Sequence, residues 1–204
     1  MKNSSFVYQK LQSKYFDYPV KVFALDHYKR KSAGEHEFSR KQVWFYIYGD
    51  DDLKTEFKKE FSPLFSEVID NGNWDYTTLI PTHIEGEINE NMHDLVKEVT
   101  SDNDSAYKQI LRRNRTVKDN HSLDTFKQKA INLEESLDVR EDVEGKNIIL
   151  VDNICLTGCS FMHAAELLKQ KGAENIICLT LGVKPRDDEL KVSDPAEIAD
   201  LMNS

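Results

Sequence analysis

The stretch Asn147-Ile148-Ile149-Leu150-Val151-Asp152-Asn153-Ile154-Cys155-Leu156-Thr157-Gly158-Cys159-Ser160 restricts what this chain can fold into more than any other. Ile148 to Val151 is an apolar run of strand length, β-branched at three of its four places. An acid and an amide follow, then a turn containing Thr157, Gly158 and Ser160. Beyond the turn, Phe161, Ala164, Ala165 and Leu168 recur at helical spacing as far as Lys171-Gly172, which reads as a helix stop. A strand that turns through small hydroxyl residues into a helix aims the turn's N–H groups and the first-turn N–H groups at one point, which suits phosphate. Val-Asp-Asn alone also fits a capped strand end with no ligand, because acids recur at the carboxyl ends of parallel strands.

A second near-continuous apolar strand, Asn175 to Val183, follows the helix. Strands apolar on both faces and alternating with helices imply an α/β fold with a parallel sheet covered on both sides. Further upstream, Trp74 to Pro81 reads as a strand. It enters a turn over Thr82-His83-Ile84-Glu85-Gly86-Glu87, and a helix capped by Asn89 follows, with Ile88, Met92, Leu95, Val96 and Val99 as its buried face. Leu137 to Val139 suggests a short strand, Glu144 to Lys146 a turn, and Leu123, Phe126, Ala130 and Leu133 a short helix or an extended arm.

The N-terminal third is less regular. Val20 to Leu25 and Val43 to Tyr48 both read as strands, joined by a charged connection from Asp26 to Arg40 that contains Gly34, and the two form a hairpin or an addition to the sheet edge. Leu53, Phe57, Phe61, Leu64, Phe65 and Val68 form a helical stripe, which Ser62-Pro63 is expected to break into two helices. Residues 1–73 are therefore taken as an N-terminal hood or edge extension and 74–204 as the core. The tail after Lys184 holds one terminal helix. Trp44 and Trp74 are expected as core or edge anchors.

The formal net charge of −9 argues against a general nucleic-acid-binding surface and leaves room for a local basic patch. Met1 to Ser5 leads into mixed polar and aromatic residues without a secretory apolar core, and no apolar run approaches the ~20 residues of a membrane span. Three cysteines, two of them inside the turn, fit a reduced, cytoplasmic setting better than a disulfide framework. Against the acidic background, residues 105–120 carry five basic residues and one acid. Their first half, around Ala106, Tyr107, Ile110 and Leu111, reads as a helix and the remainder as a mobile loop. Arg112, Arg113, Arg115 and Lys118 are then either a solvated basic face or a set of cations that closes on an anion. Cys155 and Cys159 fill small positions, since no local His activates them. His83 reads as a loop residue within reach of phosphate, and His163 as packing or surface.

The string 148–160 resembles the signature by which type I phosphoribosyltransferases bind 5-phosphoribosyl 1-pyrophosphate (PRPP). That signature has an apolar strand, two acids, two variable residues and a Thr-Thr-Gly-small-Thr cradle. Asp152 stands in the first acid place and Asn153 in the second, while Leu156-Thr157-Gly158-Cys159-Ser160 stands in the cradle, with Leu156 where a hydroxyl residue is usual. Arg113, Arg115, Thr116, Asn120, Leu123 and Asn132 resemble the arm of the ComF-like branch. The turn 82–87 takes the place of the pyrophosphate loop, without a Lys or Arg and with two acids.

The resemblance implies a type I phosphoribosyltransferase-like fold in which Asp152 and Asn153 face the ribose and Leu156 to Ser160 hold the 5-phosphate. Thr82, His83, Gly86, Arg112, Arg113 and Arg115 would serve the pyrophosphate. Mg²⁺ would be held mainly through PRPP and by Asp152 through water. The implied activity is transfer of phosphoribosyl to a nitrogen-containing acceptor with release of pyrophosphate, and a homodimer is a further expectation. The alternative is a PRPP- or nucleotide-binding sensor of weak catalytic power, linked through the ComF association to DNA uptake or processing. The four-cysteine zinc module of many ComF relatives has no counterpart here.

Overall fold

The computed structural model describes residues 5–29, 36–103 and 105–204, without the side chains of residues 121 and 195. The part of the 26–40 connection that holds Gly34, and residues 1–4, lie outside the described residues. One sheet of six strands organises the molecule. Its strands are β1 (Phe6–Ser13), β2 (Phe16–His27), β3 (Tyr76–Leu79), β6 (Asn147–Cys155), β7 (Asn175–Val183) and β8 (Leu190–Val192), in the spatial order β3-β6-β7-β2-β1-β8. The neighbours from β3 to β2 pair in parallel, whereas β1 runs antiparallel to both β2 and β8. A two-stranded antiparallel ribbon, β4 (Leu111–Arg113) with β5 (Leu137–Val139), stands apart from the sheet.

Strand alternation sorts the apolar run of β6 onto two faces. Ile148 and Leu150 join Val22, Ala24 and Cys178 under α4 (Phe126–Leu133) and α5 (Cys159–Gln170). Ile149 and Val151 join Phe23, Ile177 and Leu179 on the opposite face. That face is covered by α1 (Glu37–Tyr48), α2 (Asp51–Asp70), α3 (Glu90–Asp102) and α6 (Pro195–Asn203). The fold is therefore α/β, with a mostly parallel sheet flanked by helices on both sides. Residues 1–73 supply β1 and β2 to this same sheet and α1 and α2 to one of its faces.

Three expectations fail here, each for a physical reason. Val43–Tyr48 is helical and not a strand, because Ser39, Gln42 and Phe45 recur at helical spacing and are the buried positions of α1. The strand-like aromatic residues around them point outward, Trp44 at 52% exposure and Tyr48 at 64%, so Trp44 is no core anchor. Trp74 does anchor, donating through Nε1 to Val68 O at 2.8 Å. The hairpin forms between β1 and β2 instead, and β1 falls in an aromatic segment whose alternation passes unread.

Pro63 sits inside α2 without breaking it. Phe57 and Phe61 before it, and Leu64, Phe65 and Val68 after it, form one continuous buried stripe. At roughly 1.5–3 kcal/mol for each fully buried apolar side chain, that stripe outweighs one missing backbone bond and the proline penalty.

Residues 106–111 are extended and not helical. Thr77 N–H donates to Ala106 O at 2.8 Å and Lys108 N–H to Thr77 O at 2.9 Å, so the segment is stitched alongside β3. The adjacent Ile110 and Leu111 are both buried, and Leu111 leads directly into β4.

Candidate active site

Parallel strands place the ends of β3 and β6 at one edge of the sheet, and both sequence-predicted loops emerge there. The turn after β6 is built around Gly158, whose φ of 77° is left-handed and which is the N-cap of α5. A Cβ at this position would lie 2.4 Å from Leu11 Cδ1, so the turn needs glycine twice over. No side chain caps α5 from that position, although Cys159 N–H meets Thr157 Oγ1 at 3.4 Å. The first turn of α5 therefore faces a hollow of ≈ 50 Å³ lined by Asp152, Cys155, Leu156, Thr157, Gly158, Cys159 and Ser160.

Two residues on the arm between β4 and β6 complete that hollow, Asn120 and Lys129. Asn120 Nδ2 reaches Ser160 Oγ at 3.5 Å. Lys129, on α4, is buried, a placement that its charge conceals in the sequence. The only available signal was its spacing: it sits one residue before Ala130 on an amphipathic helix whose buried face turns to the cradle.

Asp152 also lines an adjacent cleft of ≈ 350 Å³, with Thr82, His83, Arg113, Lys118, Asn120, Asn153 and Ser160. Some of its surface is still reached by solvent, but the carboxyl is crowded by protein. Burial pushes its pKa up to about 7, opposed by the Asn153 N–H bond and by the charge of Arg113. Asp152 Oδ1 accepts from Asn153 N–H, and Asn153 Oδ1 accepts from Ile154 N–H, both at 2.8 Å. The Asn153 carbonyl accepts in turn from Thr180 Oγ1 at 2.9 Å and from the amide of Gln42 on α1. Tyr46, also from α1, lines the cleft, and burial followed by the charges of Asp152 and Asp119 raises its phenol to about 12.

The basic segment divides. Arg113 is 3% exposed and held from below: Nη1 donates to Ser136 Oγ at 2.6 Å, Nε to Thr82 O at 3.0 Å and Nη2 to Pro81 O at 3.5 Å. It lines the cleft floor as a fixed cation and is not on a swinging loop. Burial lowers its pKa to about 10, with Asp152 opposing, so it stays charged at neutral pH. Arg115 turns away, donating to Glu134 O at 2.6 Å beyond the end of α4. Arg112 is exposed, its guanidinium passing beside Gly86.

The turn 82–87 is bound to the arm along its length. Gly86 N–H donates to Arg113 O and Val117 N–H to His83 O, each at 2.9 Å, and Glu85 N–H donates to Thr116 Oγ1 at 3.0 Å. The structure thus gathers Thr82, His83, Arg113, Asp152, Asn153 and the cradle, and leaves Arg112, Arg115 and Gly86 outside the cleft lining. Burial pushes the thiols of Cys155 and Cys159 to about 12, so both are neutral. His163, edge-on to Phe16, is held neutral by burial and then by the charges of Arg113 and Arg115, with a pKa of about 4.

No group of three or more His, Cys, Asp or Glu converges among the described residues. Among the described residues, Asp152 is the carboxylate common to the linings of hollow and cleft, and the cleft also carries Glu87 and Asp119. This fits Mg²⁺, which keeps water and takes substrate oxygens with one or two carboxylates, and does not fit a cage made by protein alone. A further recess of ≈ 660 Å³ adjoins the other side of Leu156 and Thr157, walled by Tyr15, Phe126, Lys184, Arg186 and Asp187 among others. The rings of Tyr15 and Phe126 stack there at 5.7 Å. No helix among the described residues is long and apolar enough to cross a membrane.

Residues 102–200 match the family model described as the phosphoribosyl transferase domain. That span takes in the arm, the signature strand and the cradle, and supports a phosphoribosyltransferase domain in this part of the chain. A stretch of 53 residues is 42% identical to ribose-phosphate pyrophosphokinase of Wolinella succinogenes, covering 26% of this chain and 17% of that protein. Another of 50 residues is 44% identical to the enzyme of the same name from Thermosipho africanus, covering 24% and 16%. The chain thus spans less than a fifth of the length of the curated relatives it matches. Among solved structures, a hypoxanthine phosphoribosyltransferase from Staphylococcus aureus is similar at a TM-score of 0.41 and 16% identity, over 65% of this chain and 64% of that one. The allosteric regulatory enzyme of purine biosynthesis is similar at 0.42 and 17%, over 68% and 30%.

Proposed function

We propose that this protein is a PRPP-dependent phosphoribosyltransferase that passes the phosphoribosyl group to a nitrogen nucleophile and releases pyrophosphate. One observation carries the reading: the uncapped cradle lines a hollow and the fixed guanidinium of Arg113 an adjacent cleft, and the two share Asn120, Asp152, Ile154 and Ser160 in their linings. In that arrangement the 5-phosphate sits on the first turn of α5, with Thr157 and Ser160 hydroxyls as further donors. The ribose lies over Asp152 and Asn153, and the pyrophosphate over Thr82, His83 and Arg113. As the bond to pyrophosphate breaks, positive charge develops at the anomeric carbon, and an ionised Asp152 stabilises it. Arg113 and Lys118 offset charge on the leaving group, and Mg²⁺, when bound, adds to that neutralisation.

The recess beyond Leu156 is where we place the acceptor. Its stacked aromatic pair and its mixed charges suit a planar, nitrogen-bearing ring. Residues 1–73 contribute Tyr15 to that recess and Tyr46 to the cleft, which is the role we assign to the N-terminal extension. The arm residues Arg113, Thr116, Asn120 and Asn132 favour the ComF-like branch. The match to ribose-phosphate pyrophosphokinases is in keeping with a site for a 5-phosphorylated ribose.

Calorimetry with Mg²⁺-PRPP, followed by pyrophosphate release in the presence of purines, pyrimidines, orotate or ammonia, tests the reading. No binding at millimolar PRPP refutes it. A second reading, a PRPP sensor of low turnover, is favoured by Asn153, whose side chain is engaged by Ile154 N–H and carries no charge. Asn153→Asp separates the two. Basal PRPP turnover rises if the missing carboxylate limits an enzyme, and stays flat if the protein only binds.

A further inference from the structure

We infer that Lys129 is the cationic partner of the 5-phosphate, a role that no residue of the cradle itself can fill. Leu156 to Ser160 offers N–H groups and two hydroxyls but no charged side chain. A phosphate monoester carries about −1.5 to −2 charge at neutral pH. The N-terminus of α5 opposes this with only about half a positive charge. Lys129 stands on the wall of the same hollow, 7% exposed, on a different element from the cradle.

Its ammonium is positioned by backbone and not by chance of rotamer. Nζ donates to Leu123 O at 2.7 Å and also to Asn120 O. Asn120 is itself fixed, its side chain lying between Asn132 Nδ2 at 3.2 Å and Ser160 Oγ at 3.5 Å. The thiol of Cys159 in the cradle already feels the lysine charge, which partly opposes the effect of its burial. A buried cation that donates to the Leu123 and Asn120 carbonyls on the wall of an anion cradle is in place before the anion arrives. A charge-assisted bond in such a setting contributes more than one in water. Lys129 also belongs to the arm, so the contact would tie α4 and the backbone at Asn120 to the bound ligand.

This inference rests on the proposed PRPP site, and the experiment keeps the two apart. Calorimetry on the full chain uses ribose 5-phosphate and inorganic pyrophosphate as separate probes, with the wild type, Lys129→Gln and Lys129→Arg. Gln is chosen because its amide can go on donating to the Asn120 and Leu123 carbonyls without a charge. Lys129→Gln should weaken ribose 5-phosphate binding about 10- to 100-fold, leave pyrophosphate binding unchanged, and be substantially rescued in Lys129→Arg. Ribose 5-phosphate bound equally by wild type and Lys129→Gln overturns the assignment of Lys129 alone. A wild type that binds neither ribose 5-phosphate nor PRPP overturns the site itself.

A measurement on the wild type guards against a Gln variant that fails to fold. The Lys129 ¹⁵Nζ resonance, identified by its loss in Lys129→Arg, should shift with ribose 5-phosphate and not with pyrophosphate. An unmoved resonance on saturation with ribose 5-phosphate also overturns the assignment.

Discussion

Replacing the acid at the centre of the site should make the protein more stable, and only above a certain pH. The Asp152 carboxyl has a pKa near 7 in the folded chain against 3.8 as its ordinary value. Between these values the folded state holds a proton that the unfolded state has released, so stability falls as pH rises through that window and levels off above about 7. The gap of about three pKa units corresponds at most to ~4 kcal/mol at ~1.36 kcal/mol per unit. Residual solvent around the side chain, and the loss of a countercharge for Arg113, reduce the recoverable part to about 1–3 kcal/mol. Asp152→Asn keeps an oxygen for the Asn153 N–H and removes the ionisation. Urea unfolding at pH 4.5 and at pH 8 should therefore show little difference from wild type at the lower pH and a gain of that size at the higher. A stability change equal at both pH values, or a loss at pH 8, refutes the account of why this carboxyl titrates high. The same variant should lose phosphoribosyl transfer while gaining stability, which separates the acid's chemical role from its effect on the fold.

Arg113→Gln removes the charge that holds the Pro81 and Thr82 carbonyls. It should cost about 2–4 kcal/mol in urea unfolding and raise the Kd for pyrophosphate, whereas Arg115→Gln should change neither appreciably. Gly158→Ala meets both a left-handed φ and Leu11. A loss of at least about 1–3 kcal/mol in thermal melts, with PRPP binding abolished, is expected. Pro63→Ala restores a backbone donor inside α2 and should raise stability by about 1 kcal/mol, read as a higher urea midpoint with the same m-value.

The central part of this architecture was legible because its residues carry two kinds of signal at once. In β6 and β7 the apolar runs are bounded by turns, and the Gly158 turn has both a steric and a chemical reason to be where it is. Asn89 was readable as a cap for the same kind of reason, and its side chain accepts from Met92 N–H at 3.0 Å. The run Val43 to Tyr48 misled because six consecutive apolar or aromatic residues have no period of their own. The register came from Ser39 and Gln42, which look like surface residues in sequence and are buried against the sheet. Pro63 misled because local propensity ignores a stripe of five buried apolar residues spanning it. Gln42 was invisible as a site residue, since it acts on the Asn153 carbonyl far away in sequence, and Lys129 because a lysine on a short helix reads as a solvated charge. The basic cluster was found, but its division into a floor residue, Arg113, and outward ones depends on the pairing of β4 with β5.

The pairing of β2 with β7 bears on how the molecule can vary. β7 is flanked by the signature strand on one side and by the N-terminal segment on the other, so removing residues 1–73 would not uncover a ready-made core. It would strip one hydrogen-bonding edge from β7 and lay bare the face that Phe57, Phe61 and Phe65 cover. Such an open, apolar edge invites pairing with other chains. Residue changes around the Tyr15 recess therefore leave the sheet intact, whereas loss of the N-terminal third removes part of it. The N-terminal segment is, in the folded chain, both part of the sheet and, through Tyr46, part of the cleft lining.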